Sequence, residues 1–432
     1  MLIPTSFSAM STLSAMSTLS APSVMFRVCD SKFVGVKPGT SINTKVDDIS
    51  WRAKDAKYMM EQACLEGNAH IAKKVMHHSR TWLNWGLYKA CEGGHQNMAE
   101  LLIQQGATNW DMGLEGACRG NQYLLAEDMI KKGALDWNRG LSAACEGNHL
   151  DMAEYMVECG ANDWNMGFEG ACRGGHFSLV THAIGQGANA WWDHGLAAAC
   201  EGGHLDIAKF LVERGAIAWN GCFLFACMRG HRPLLDYMLE LGTLANWNNH
   251  WNWGLRYACV GGCRDVVDYM VERGATDWNM GLEGACRGGH PDLVELLIER
   301  GATEWNQGLG SACEGGHFDI ATWMIDCGAT DWNYGLERAC LGGCVELVEL
   351  MIDRGADDWD TGLEASCYGG HAKLAILMAE RGATDWNKGL YAACNNKRRV
   401  PADLMVEYGA TNRHCLSSFD TFANETQQFF EA

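Results

Sequence analysis

The chain has 432 residues and a formal net charge of −19, from 34 Lys and Arg against 53 Asp and Glu, which argues against a nucleic-acid backbone or an anionic membrane surface as the main partner. Twenty cysteines in so long a chain fall far below the density of small secreted disulfide frameworks, and fit reduced thiols in an intracellular compartment, cytoplasmic or nuclear. No apolar run of 18 residues is present to span a membrane.

Residues 1–50 open with 26 residues that carry no charged side chain, including SAMSTLSAMSTLSA. Neither a basic n-region nor a firm apolar h-region is present, so this stretch reads as a flexible low-complexity tail rather than a signal peptide.

From residue 51 to 412 one unit recurs. The pattern Ala-Cys-x-Gly-Gly-His sets a register in which Cys64, Cys91, Cys118, Cys145, Cys172, Cys200, Cys227, Cys259, Cys286, Cys313, Cys340, Cys367 and Cys394 fill one slot. Their spacing is 27 residues, except for 28 before Cys200 and 32 before Cys259, and Trp stands eight positions ahead in eleven of the thirteen units. In the unit Ala302 to Gly328, Asn306 is expected to cap a short helix on which Leu309 and Cys313 share a face, and Gly315-Gly316 ends it. His317 then precedes a second helix with Asp319 in its first turn, and Pro233 and Pro291 sit in the corresponding turn of sister units. Each unit is therefore helix, turn, helix, turn. A unit this small buries its apolar stripes only by stacking on its neighbours, so the expected fold is an all-α solenoid of about 13 repeats. One position after the register cysteine, Glu92, Arg119, Glu146, Arg173 and Glu201 alternate in sign, as do Arg287 and Glu314, which sets opposite charges side by side along one face.

The run from Gly289 to Ala302, GHPDLVELLIERGA, resembles the G-H-x-x-[IV]-V-x-x-L-L-x-x-G-A segment of the ankyrin-repeat family, and Ala285-Cys286 is similar to its Ala-Ala pair. The resemblance covers about residues 56 to 412, yet the usual period of about 33 residues and the T-P-L-H signature are missing. It implies an ankyrin-like helix-turn-helix solenoid whose β-hairpin fingers are truncated, and a scaffold or adaptor that binds a protein partner. Shortened Trp-Asn-x-Gly-Leu units of this kind resemble those of ankyrin-rich proteins of large DNA viruses, which implies a viral factor acting on host proteins. A structural component of a larger particle is the alternative, and a thiol or metal protein a third.

The metal reading of Cys-x-Gly-Gly-His needs about four ligands within about 2.3 Å, whereas helices of neighbouring units are expected about 8 to 10 Å apart. The register cysteine reads instead as a small buried residue, with the His capping the second helix or bonding a neighbouring turn. Gln122 and Arg398 replace that His without breaking the repeat. Cys263 and Cys344 take the His slot, giving C-x3-C pairs with Cys259 and Cys340, and Cys159 and Cys327 fall near the end of the second helix. Such a pair could bind a soft metal or oxidise, but substitution within the repeat is the simpler account. No nucleophile-and-base set recurs and no glycine run has phosphate-loop spacing, so neither an enzyme, a cofactor nor a small-molecule substrate is expected.

Two candidate partner-binding features stand out. The long spacing before Cys259 holds LGTLANWNNHWNWGL, where Trp247 and Trp253 join the register Trp251 in an irregular insertion near 241–253. The position just after Trp-Asn varies freely, with Met112, Arg139, Met166, His194, Met280, Gln307, Tyr334 and Lys388. The register tryptophans themselves are expected to pack one unit on the next, and Tyr155, Phe210, Tyr237, Tyr269 and Trp323 form a further aromatic stripe on the second helices. Residues 413–432 leave the repeat as a C-terminal cap or tail, in which Phe419, Phe422, Phe429 and Phe430 are expected to cap its open end, with a short docking motif as the alternative.

Overall fold

The computed structural model describes residues 53–78, 82–188, 191–242 and 250–416. The N-terminal segment 1–50, Trp247 and the four C-terminal phenylalanines lie outside the described residues. Among those described are 26 α-helices and one short 3-10 helix, Arg413–Leu416, with no strand. The helices form thirteen pairs, from Ala53–Leu65 with Ala69–His78 to Trp386–Asn395 with Arg399–Glu407. The fold is an all-α helix-turn-helix solenoid, and no helix of the described residues is long and apolar enough to cross a membrane.

Unit ten shows why these residues fold this way. Its first helix, Trp305–Gly315, buries Leu309, Ala312 and Cys313, and its second, Phe318–Asp326, buries Ile320, Ala321 and Met324. The spacings of three and four place each set on one helical face. A buried leucine contributes about 1.5 to 3 kcal/mol relative to an exposed one, and the matching slots Leu282, Leu336 and Leu363 are all fully buried in one continuous core. Gly316, at φ +76°, takes the left-handed conformation that ends the first helix.

First helices pack on first helices throughout the array, whereas second helices barely touch one another. Glycine sets this approach. A Cβ added at Gly116 would lie 2.1 Å from the Tyr88 carbonyl oxygen of the preceding unit, and one at Gly284 would lie 2.2 Å from that of Arg256. Neighbouring first helices are therefore in direct backbone contact at these points, closer than generic helix spacing suggests.

The capping expectation is corrected. Asn306 lies inside its helix, whose N-cap position is Glu304. In sister units the residue before the tryptophan does the capping: Asp331 Oδ1 accepts from the Tyr334 amide at 3.0 Å, and Asp277 from Met280 at 3.1 Å. Asn306 works across the unit boundary instead. Its Oδ1 accepts the backbone N–H groups of Thr330 at 2.8 Å and Asp331 at 3.0 Å. The same paired bonds run from Asn84, Asp111, Asn138, Asp193, Asn252, Asn279, Asn333, Asp360 and Asn387 into the following unit. Where an ankyrin unit would carry a hairpin, this chain has a short turn whose two amides are held by one carboxamide or carboxylate. At Asn165, which precedes the 28-residue step, the Oδ1 has no partner among the described residues, which do not include residues 189 and 190.

The tryptophans do more than join units. Trp192 meets Phe168 of the preceding unit edge to face at 5.6 Å, as expected of an inter-unit contact. Some rings also cover the end of their own second helix: a Cβ at Gly160 would lie 2.6 Å from Trp137, and the Arg354 guanidinium sits 5.9 Å from the Trp332 ring. At the last unit Trp386 stacks on Tyr408 at 5.0 Å, and Leu416 packs against the core.

Candidate interaction face and the Cys-Gly-Gly-His slots

The His of each slot occupies the N-cap position of the second helix, with no side-chain cap bond. Its ring reaches back one unit. His317 Nε2 lies 2.8 Å from the Arg287 carbonyl oxygen, and His95, His176, His204, His231, His290 and His371 make the equivalent contact at 2.8 to 3.2 Å. A carbonyl only accepts, so Nε2 carries the proton. The two glycines clear the path. A Cβ on Gly315 would lie 2.2 Å from that same Arg287 oxygen, and one on Gly203 would meet the His231 ring at 2.6 Å. Asn121, Asn148 and Lys397 take the second glycine's place at φ 53° to 66°, a region that asparagine tolerates better than most side chains.

Substitutions in the slot reproduce this contact only in part. Cys263 donates its thiol to the Met228 carbonyl at 3.3 Å, as a His would donate its N–H. Gln122 turns inward and donates to Gly120 of its own unit at 2.8 Å. Burial holds His176, His231 and His371 below the ordinary histidine value, although the carbonyl contact opposes it. Burial likewise pushes the thiols of Cys64, Cys91, Cys145, Cys313, Cys340 and Cys367 up to about 12, which suppresses the reactive thiolate.

The alternating charges meet as anticipated. Arg119 lies 3.4 Å from Glu92 and 2.7 Å from Glu146, and Arg173 lies 4.0 Å from Glu146 and 3.1 Å from Glu201, which Arg229 also reaches at 3.0 Å. Burial would raise Glu201, but the two flanking guanidinium groups outweigh it and hold the carboxyl below its usual value. The row stops at Met228 and Val260, then resumes with Arg256–Glu283 and with Glu314 held between Arg287 and Arg338.

The variable slot runs beside this row on the first helices. Tyr334 donates its hydroxyl to Gln307 of the preceding unit at 3.0 Å, and its ring covers Gly310. Arg139 pairs with the buried Glu115 of the preceding unit at 2.6 Å. His194 packs on Trp191 at 4.5 Å, Met166 is half-buried, and Lys388 is exposed, 3.7 Å from Asp385. Trp253 is the variable-slot residue of its unit, and so belongs to the register rather than to the insertion. It is 41% exposed, with the Arg256 guanidinium 5.4 Å from its ring. Trp251 occupies the ordinary tryptophan slot, half-buried against the core.

Sequence reasoning missed Trp85, which fills the same variable slot in unit two. It stacks on Tyr88 at 5.0 Å and donates its indole N–H to Glu61 at 2.5 Å. Leu83 in place of the register tryptophan hid it, although the Gly86-Leu87 pair directly after Trp85 was a usable signal. On the second helices, Phe177 meets Phe210 at 4.8 Å and Tyr123 meets Tyr155 at 5.6 Å, so the stripe residues Phe210 and Tyr155 are engaged by aromatic rings from a different slot of the preceding unit.

No family model matches the sequence, and no curated protein matches it. Among solved structures the chain is similar to the crystal structure of human ASB11 ankyrin repeat domain, at 19% identity and a TM-score of 0.24, covering 50% of this chain and 98% of that one. A score that low carries no weight of its own, and the architecture rests on the thirteen helix pairs.

Proposed function

We propose that the chain is a protein-interaction scaffold that holds a partner against the variable-slot side of its first helices, inside a cell. One observation carries this reading. A row of side chains that differs from unit to unit, including Arg139, His194, Trp253, Gln307, Tyr334 and Lys388, sits on a frame whose neighbouring slots scarcely change. Fixed geometry with variable chemistry is how a repeat array acquires specificity, and a half-exposed tryptophan beside an arginine is a common anchor type at interfaces. The resemblance of the shortened unit to viral ankyrin-rich proteins supports a host protein as the partner.

Affinity capture from expressing cells with mass spectrometry tests this. A specific protein should be retained by the full chain and lost, or weakened by about tenfold or more, with Trp253→Ala. Recovery of particle proteins alone would replace the scaffold with a structural component. Equal retention by the variant would remove Trp253 from the contact.

A further inference from the structure

Five positions ahead of the register cysteine, eleven of the thirteen units place glycine, and unit seven places Cys222. That slot abuts the register cysteine of the preceding unit. On either side of unit seven, a Cβ built on the glycine lies 3.3 Å from a neighbouring sulfur: Gly195 from Cys172 Sγ, and Gly254 from Cys227 Sγ. Across a disulfide, bond lengths and angles set a Cβ about 3 Å from the opposite sulfur. The partner that the repeat assigns to Cys222 is Cys200, and both side chains are fully buried. The Cys222 thiol already donates to the Ala218 carbonyl at 3.1 Å. The neighbouring Cys222 thiol, together with burial, holds the Cys200 thiol well above its ordinary value. The other register cysteines that have a following unit meet a glycine in this slot instead.

We infer that Cys200 and Cys222 are an oxidisable thiol pair whose disulfide staples unit six to unit seven. The step balances with a peroxide. One sulfur takes an oxygen from hydrogen peroxide as sulfenic acid with loss of water, and the other sulfur displaces that oxygen as a second water. Two thiols and one peroxide thus give one disulfide and two waters. A small dithiol reverses it by exchange. Both sulfurs are shielded, so the first attack waits on local opening of this joint. The staple would tie the first helices Trp192–Gly202 and Trp219–Arg229 together just before the charge row stops at Met228.

The test uses the full chain, treated with hydrogen peroxide, with remaining thiols alkylated during denaturation and the digest mapped without reduction. Lys209 and Arg214 lie between the two cysteines, so trypsin separates them unless they are joined. The expected result is a linked Cys200–Cys222 peptide pair that dithiothreitol releases, with a higher thermal midpoint for the oxidised chain. Cys222→Gly restores the slot's usual residue, so it should keep the helical circular dichroism and lose both the cross-link and the shift. Recovery of Cys200 and Cys222 as separate alkylated or oxyacid peptides from a folded, peroxide-treated chain overturns the inference. Linkage of either one mainly to a different cysteine does the same.

Discussion

Replacing Asn306 by alanine tests whether the turn between units is held by a side chain of the unit before it. The change removes one acceptor and leaves two backbone donors, the amides of Thr330 and Asp331, without it. Each bond is worth about 0.5 to 1.5 kcal/mol net, and both lie at an exposed site where water can substitute, so about 1 to 2 kcal/mol is lost. Alanine's better helix propensity returns up to about 0.7 kcal/mol, leaving a net loss of about 1 kcal/mol. Asn306→Asp keeps the acceptor and should stay within about 0.5 kcal/mol, because Asp111, Asp193 and Asp360 serve the same role and an acid suits a helix's first turn. Urea unfolding gives the stability, and hydrogen exchange reads the Thr330 and Asp331 amides. The reasoning fails if alanine leaves both stability and exchange unchanged, or if aspartate costs as much as alanine.

A second test concerns pH. His371 has its pKa lowered mainly by burial, so below the ordinary histidine value near 6.5 the unfolded chain binds a proton that the folded chain resists. Stability should fall as pH drops through that range towards the lower folded value, and His371→Gln should flatten part of the slope in urea midpoints measured from about pH 8 to about pH 5.5. An unchanged slope would show that the slot does not couple to proton binding. A third test is Gly284→Ala. Its Cβ would stand 2.2 Å from the Arg256 carbonyl oxygen, a backbone atom that cannot swing aside, so about 1 to 3 kcal/mol should be lost in denaturant unfolding. A neutral result would mean that the first helices are not in the close contact described.

Most of the architecture was legible because the repeat averages out local ambiguity. One weakly periodic segment of about ten residues could be a helix or part of a larger element, but thirteen copies with the same Leu, Cys and Gly-Gly spacing leave little choice. The alternation of Glu92, Arg119 and Glu146 likewise carried its own geometry, since equal register means equal height along a stack. What escaped were interactions between non-equivalent slots. Asn306 looks like an N-cap when its unit is read alone, and its partners 24 and 25 residues on appear only when the next unit is laid over it. Cys222 next to Cys200 was missed for the same reason, because only like positions were compared and like positions in a stack stay apart.

The candidate face was legible in composition but not in arrangement. Variation after Trp-Asn marks the slot, yet it does not tell which variants engage a neighbour. Tyr334 is tied to Gln307, and Arg139 to Glu115, so their polar groups are partly committed before any partner arrives. A partner that used them would have to compete with those contacts, whereas Trp253 already presents 41% of its surface with Arg256 beside it. Removing Trp253 therefore takes away apolar contact area without first breaking an inter-unit hydrogen bond. On this reading, Trp253→Ala should weaken capture of a partner more than Tyr334→Phe, which deletes only the hydroxyl bonded to Gln307. The opposite order in the capture assay would move the centre of the interface to the later units.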